Sequence, residues 1–526
     1  MAVQFQELLS AAYPETDPAP DGKVRTLPEL AYIAASERAA GKRVVLCHGV
    51  FDLLHMGHVR HLQQARSHGD RLIVTITADR YVNKGPGKPV FSGDLRAEML
   101  SALACVDWVG INDGPDAVPV IEAIQPTFYA KGSDYANADA DVTGKIAAER
   151  AAVESCGGTV VITNDITFSS TELLNRHFEI FEPKVRQFLD QMREGGALQR
   201  LERVIEKTAD LKVLLVGDTI IDEYRYVTPM GKSPKENLIA TRFEEAETFA
   251  GGVIATANHV AALCKQVHVM TCLGDSPDDE ATVRSKLQPN VELVPVHRQG
   301  APTTRKIRFI DKSYMRKLFE VYHFDDSPLP GALQGRFDSA IAQVAGDYDL
   351  VIVNDFGHGL IAGQTIANLC ERTKFLTVNA QSNSANLGFN LITKYPRADL
   401  VCIDMPEARL AVRDQRATPV QIATEMLPKF IDCKRIALTL GREGCAAVDH
   451  EGAVCQIPAL TRSVVDLVGA GDAFLAFAAP FAAAGADMSD VGFIGNIAGA
   501  LKVGIVGHRS PIDQATLVKS LRGLLT

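Results

Sequence analysis

Short apolar runs of strand length recur along this chain with helical stretches between them, and this alternation begins twice. In the first series Arg43–Cys47, Leu72–Thr77, Val106–Gly110 and Thr159–Ile162 alternate with helical segments such as Met56–Ser67 and Leu95–Ala104. A parallel neighbour is reached only through a crossover, so repeated strand–helix–strand units predict a doubly wound parallel sheet. A second series opens at Val213–Val216 and continues through Leu350–Val353, Phe375–Val378, Leu400–Ile403 and Ile436–Leu440. Between the two, Val185, Phe188, Leu189, Met192, Leu198, Leu201, Val204 and Ile205 recur at helical spacing in a charged stretch. The pattern predicts an N-terminal extension over 1–26, an α/β domain over 27–180, a helical connector over 181–211 and a second α/β domain over 212–526. A length of 526 residues, beyond what one core organises, agrees with two domains.

Charge narrows the function. Sixty-four acidic against 54 basic residues leave a net charge of -10, so a nucleic-acid surface is not expected and any phosphate handled belongs to a small molecule. The ten cysteines are scattered with no Cys-x-x-Cys pair, which reads as buried thiols in a reducing compartment. The start of the chain lacks a basic-then-apolar leader, and no run reaches the roughly 18 apolar residues that span a bilayer. A cytoplasmic protein with no membrane partner is expected.

The first constellation is Gly49-Val50-Phe51-Asp52-Leu53-Leu54-His55-Met56-Gly57-His58, placed where a buried strand gives way to a helix. Parallel sheets present ligands at that edge, helix-start amides attract phosphate, and imidazoles at i and i+3 share a face. Nucleotidyl transfer needs little else, because a phosphate oxygen displaces pyrophosphate while charge builds on the α-phosphate. His48, His61 and His68 lie close in sequence and leave a metal site open as another reading. The segment resembles the cytidylyltransferase-like nucleotidyltransferases, and the resemblance covers about residues 27 to 178. Lys84 and Lys88, Arg96, Lys131, and Ser169-Ser170-Thr171 follow in the family's order. The resemblance implies that His55, His58 and Lys84 act in catalysis. It implies that Gly49, Phe51, Asp52, Gly57, Lys88, Arg96, Lys131, Ser169, Ser170 and Thr171 hold the nucleotide, with Mg2+ on its phosphates.

The second constellation is Gly469-Ala470-Gly471-Asp472, leading into the apolar helical run Ala473–Ala484. Small residues expose amides at a helix start, and an aspartate in the first turn can take a proton from an attacking hydroxyl. Taken alone, Asp472 is equally a helix cap. From about Lys212 onward the chain resembles the ribokinase-like (PfkB) carbohydrate kinases. That resemblance implies catalysis by Asp472, ATP contact through Thr439, Gly441, Gly444, Gly469, Ala470 and Gly471, and sugar contact through Asp218, Asp222, Gly251, Gly252 and Asn258. It also implies Mg2+ near Asp404 and Glu407. Tyr224 and Lys232-Ser233-Pro234-Lys235-Glu236 look most like the heptose-phosphate kinase branch, from which two positions depart. That branch has Asp-Pro-Lys where this chain has Asn379-Ala380-Gln381, and a lysine where His358 stands. Replacing a fixed cation by an amide weakens phosphate recognition, so an acceptor other than heptose 7-phosphate is expected.

Together the halves resemble the bifunctional heptose-phosphate kinase/nucleotidyltransferases of surface-polysaccharide precursor synthesis, with the modules in reversed order. The expected partners are ATP or CTP and a small phosphorylated sugar or polyol, with a homodimer left open. Three other readings stay open: a kinase-like half that binds sugar without turnover, a metal-dependent hydrolase on the N-terminal histidines, and a nucleotide-responsive scaffold.

Overall fold

The computed structural model describes residues 22–82, 89–132, 145–163, 181–449, 451–461 and 464–526. The chain separates into two compact units, divided between Phe178 and Glu179. Among the described residues the first unit holds five parallel strands, β1 (Val44–Gly49), β2 (Arg71–Thr77), β3 (Trp108–Asn112), β4 (Phe128–Gly132) and β5 (Thr159–Thr163), in the order β3-β2-β1-β4-β5. Alternate residues of β1 feed two cores: Val45 and Cys47 pack with Leu62, Ala65 and Leu100, while Val44 and Leu46 pack with Leu30, Ile121 and Val153. A strand buried on both faces reads as a continuous apolar run, which is why β1 is visible in the sequence. The strand order reverses between β1 and β4, and the C-terminal ends of those two strands therefore flank a crevice. Strand β4, which carries Lys131 as its next-to-last residue, is not among the runs read from the sequence.

The second unit begins with α1 (Pro183–Glu194) and α2 (Ala197–Thr208). Their apolar faces, including Val185, Phe188, Leu189, Leu201 and Ile205, share one core with Val213 and Leu215. Residues 181–211 are therefore a packed layer of this unit rather than a bridging connector. A helix with one apolar stripe must bury it, and the nearest partner is the sheet that follows.

That sheet has nine strands in the order β10-β9-β6-β13-β14-β15-β16-β17-β18. They are β6 (Lys212–Gly217), β9 (Gln266–Leu273), β10 (Val291–His297), β13 (Leu350–Asp355), β14 (Leu376–Ala380), β15 (Leu400–Asp404), β16 (Ile436–Thr439), β17 (Cys445–Val448) and β18 (Val454–Ile457). Pairing is parallel from β10 to β16 and antiparallel through the last two hairpin strands. A second sheet, ordered β12-β11-β7-β8, comprises β7 (Thr219–Lys232), β8 (Ile239–Gly252), β11 (Arg305–Asp311) and β12 (Arg316–His323). The alternation of apolar runs does not announce this sheet, because Asp222, Glu223, Lys306 and Arg308 interrupt β7 and β11. No described helix is long and apolar enough to cross a membrane.

Candidate active sites

In the first unit β1 ends at Gly49, and the chain turns through Phe51 at φ 50, a left-handed conformation that costs a non-glycine residue energy. Helix α3 (Met56–Ser67) then starts with His55 at its N-cap, whose side chain makes no capping hydrogen bond. The His55 and His58 rings stack at 3.9 Å, and the edge of Phe51 meets His58 at 5.2 Å. One turn of helix thus brings both imidazoles to the helix start at the crevice, as the spacing predicts. Asp52 is buried, and its Oδ1 accepts the Val90 and Phe91 amides at 2.8 and 3.1 Å.

Arg96 has a different part from the nucleotide contact expected of it. Its side chain is fully buried and donates to Phe91 O at 3.0 Å, Val50 O at 2.5 Å, Thr77 O at 2.9 Å and Asp79 Oδ1 at 2.5 Å. A guanidinium so committed fastens the loops behind the histidines. Lys131 sits at the crevice on β4, where its ammonium pairs with Glu149 at 2.8 Å and Tyr129 donates to the same carboxylate at 3.1 Å. His48 bonds Thr75 at 2.9 Å, and His61 bonds Thr163 at 2.6 Å. Lys84, Lys88, Ser169, Ser170 and Thr171 lie outside the described residues.

The second site gathers around the start of α4 (Ala470–Ala483). Gly469 precedes it at φ 79, where a Cβ would stand 2.5 Å from the His508 ring, so the position tolerates only glycine. Asp472 is buried in the first turn, and its Oδ1 accepts from Asn354 and Gln381, each at 3.3 Å. Burial pushes the Asp472 carboxyl above the usual carboxylate range. Gln381, one of the positions that departs from the resemblance, thus touches the Asp472 carboxylate itself.

Asp218 and Asp222 follow β6, and the two glycines after them have a steric reason. A Cβ on Gly251 would fall 2.2 Å from Asp222 Oδ2, and one on Gly252 would fall 2.3 Å from the Asp218 carbonyl. Asp218 accepts the Phe356 and His358 amides at 2.8 and 3.4 Å. Burial, reinforced by Asp355, pushes Asp218 up to about 7. Burial acts on Asp222 in the same sense, yet His508 and Arg308 hold it well below the carboxylate range.

Asn258 does not face this cluster. On α5 (Val253–Val260) its amide donates to Lys286 O at 2.8 Å and accepts Gln288 N–H at 2.9 Å. Thr256, two residues earlier and so about 200° around the helix, instead accepts from Asn354 at 3.0 Å. Asp404 ends β15 beside Thr439 of β16 and caps α6 (Met405–Val412) by accepting Glu407 N–H at 2.8 Å. Glu407 accepts Ser382 N–H at 2.8 Å, and burial together with the Asp404 charge pushes its carboxyl up. Gly441 and Gly444 turn the chain at φ 58 and 96 just after Thr439.

Several residues of this site were not read from the sequence. Lys306 and Arg308 alternate along β11, which puts them on one face, and both are buried; Arg308 pairs with Asp222. Lys317 of β12 reaches Asp466 at 2.8 Å, and Tyr224 donates to the same carboxylate at 2.7 Å. Lys394 pairs with Asp355, which also accepts from Tyr395 at 2.5 Å. The alternation of Lys306 and Arg308 with apolar Ile307 and Phe309 was a local signal the sequence held.

Comparison with known proteins matches residues 210–515 to the pfkB family of carbohydrate kinases and residues 46–176 to a family described as cytidylyltransferase-like. The chain is similar to "Bifunctional protein HldE" of Koribacter versatilis, at 41% identity over 177 residues, covering 33% of this chain and 35% of that protein. The protein of the same name from Geobacter sulfurreducens is 40% identical over 153 residues, covering 29% of this chain and 30% of its own length. The chain therefore matches about a third of the length of these curated relatives, within its N-terminal half. Among solved structures, phosphofructokinase-2 from Escherichia coli in complex with potassium has a TM-score of 0.49 at 16% identity, over 60% of this chain and 99% of that one.

Proposed function

This chain belongs to the pfkB family of carbohydrate kinases, and from that premise we propose that it is a bifunctional enzyme of nucleotide-activated sugar or polyol synthesis. The second unit phosphorylates a sugar or sugar phosphate with ATP. The first transfers a nucleotidyl group from CTP or ATP to a sugar or polyol phosphate and releases pyrophosphate. The observation that carries this reading is a helix start in each unit at the end of a loop, one beside stacked His55 and His58 and the other beside buried Asp472. Exposed helix-start amides attract the anion, and the neighbouring side chains decide the reaction.

In the first unit the attacking group is an ionised phosphate oxygen, so no base is needed. His55 and His58 donate N–H bonds to the α-phosphate as charge builds there, and Phe51, Asp52 and Arg96 keep the turn in shape. In the second unit the attacking group is a hydroxyl, and Asp472 accepts its proton while the amides after Gly469 receive the transferred phosphoryl group. Asp218 and Asp222 hold acceptor hydroxyls, and Lys306 and Arg308 keep the carboxylates balanced. Two adjacent carboxylates of raised proton affinity are hard oxygen donors, so Asp404 and Glu407 fit Mg2+, held directly or through water. When bound, that ion neutralises nucleotide phosphate charge. The acceptor is expected to differ from heptose 7-phosphate because Gln381 and His358 replace lysines of that branch. A cytoplasmic location agrees with these soluble substrates.

The test is the purified chain with ATP or CTP and a panel of sugars and sugar phosphates. Pyrophosphate and ADP should both appear, each with its own acceptor. A panel-wide absence of both products would refute the reading.

A further inference from the structure

Lys502, the last residue of α7 (Met488–Lys502), is fully buried and takes no part in the chemistry described above. Its ammonium donates to two backbone carbonyls, Val468 O at 2.9 Å and Gly507 O at 2.5 Å. The amides of the same two residues are also taken by one group: Asp466 accepts Val468 N–H at 3.1 Å and Gly507 N–H at 2.8 Å. A cation and an anion thus clamp both polar ends of the residues that immediately precede Gly469 and His508. Those next residues are themselves in contact, since a Cβ on Gly469 would stand 2.5 Å from His508. His508 in turn lies 3.5 Å from Asp222.

We propose that Lys502 is a positioning residue whose ammonium acts as a built-in monovalent cation, holding the phosphate-receiving loop before Asp472 in its working shape. Converging carbonyl oxygens are ligands for a cation, and a lysine tethered by its own helix supplies one without recruitment from solution. Tying two carbonyls together needs only neutral donors, yet this chain keeps a charged group where burial opposes the charge and brings the ammonium down to about 8. The charge has company that favours it. Asp466, Asp472 and Asp222 act on it as anions, against Lys317, and it lies close enough to His259 to act on that ring in turn. The positive charge therefore sits where the incoming triphosphate adds negative charge.

The inference rests on the kinase reading of the second unit, and the test separates the two. ATP and ADP binding with Mg2+ is measured by calorimetry on the full chain, in tetramethylammonium chloride and in potassium chloride. The wild type should bind ATP equally in both salts. Lys502→Ala should lose about tenfold or more in ATP affinity in tetramethylammonium, less for ADP, and recover most of it with potassium or methylammonium. Lys502→Met, which fills the space without charge, should lose as much and recover nothing. Unchanged ATP binding by Lys502→Ala in tetramethylammonium would overturn the inference, as would a loss that no cation restores in a variant of normal melting temperature. Should both variants fail to fold, the wild type decides: cation-independent binding supports the inference, and tighter binding in potassium overturns it. A wild type that binds no ATP in either salt refutes the kinase reading, and this inference falls with it.

Discussion

In the first unit the helix after β1 starts beside two imidazoles stacked at 3.9 Å, whereas in the second the helix after Gly469 starts among the buried carboxylates Asp218, Asp222, Asp355 and Asp472. On the function proposed above, both starts offer amides to phosphate, and the difference follows from the attacking group. A phosphate oxygen arrives already ionised and needs only donors for the charge that builds. A hydroxyl must lose a proton, so its site keeps a carboxylate and shields it. Shielding raises the proton affinity of Asp218 and Asp472, and the cations Lys306, Arg308, Lys394 and Lys502 keep such a cluster tolerable.

The largest effect expected from this contrast is a crossed loss of activity. Asp472→Asn should lower phosphoryl transfer about a thousandfold and leave pyrophosphate release intact, while His58→Ala should lower pyrophosphate release about a hundredfold and leave phosphoryl transfer intact. Separate assays of ADP and pyrophosphate on each variant measure both, and a shared loss would break the comparison. Next in size is Arg96→Met, which removes the guanidinium that ties Val50, Thr77, Asp79 and Phe91 together. It should destabilise the first unit by about 3 kcal/mol. Denaturant melts should show an earlier first-unit transition with the second unmoved.

The pH profiles sharpen the contrast further. Asp472 must be ionised to act as base and its pKa is raised, so phosphoryl transfer should fail on acidification at a higher pH than an ordinary carboxylate would impose. Asp218 has a folded pKa of about 7, above its unfolded value of 3.8. The stability it contributes is therefore full below pH 3.8 and is lost as pH rises through about 7. Asp218→Asn should flatten the second unit's melting temperature across that window, and an unaltered slope would contradict the assignment. The smallest effect is expected at Asn258. Asn258→Ala should cost about 1 kcal/mol of stability through the lost Lys286 and Gln288 contacts, with no change in acceptor KM. A raised KM at normal stability would return Asn258 to the sugar site.

Local geometry at each candidate site was legible where a few consecutive residues carry it. His55 and His58 share a face because they are one turn apart, and Gly469 through Asp472 must begin a helix because an apolar helical run follows them. Arg96 and Asn258 show the limit of that reasoning. Both have the right chemistry for a ligand, and both are consumed by backbone groups distant in sequence.

The sequence by itself determined the two series of parallel strands and the two helix starts, since apolar periodicity and local turn chemistry act over short stretches of chain. Tertiary structure alone decided that residues 181–211 pack into the second unit, that a second sheet brings Lys306 and Arg308 to Asp222, and that Lys502 reaches Val468 and Gly507. Those outcomes depend on which side chains meet across long loops, and burial and charge pairing are properties of that meeting rather than of any one segment.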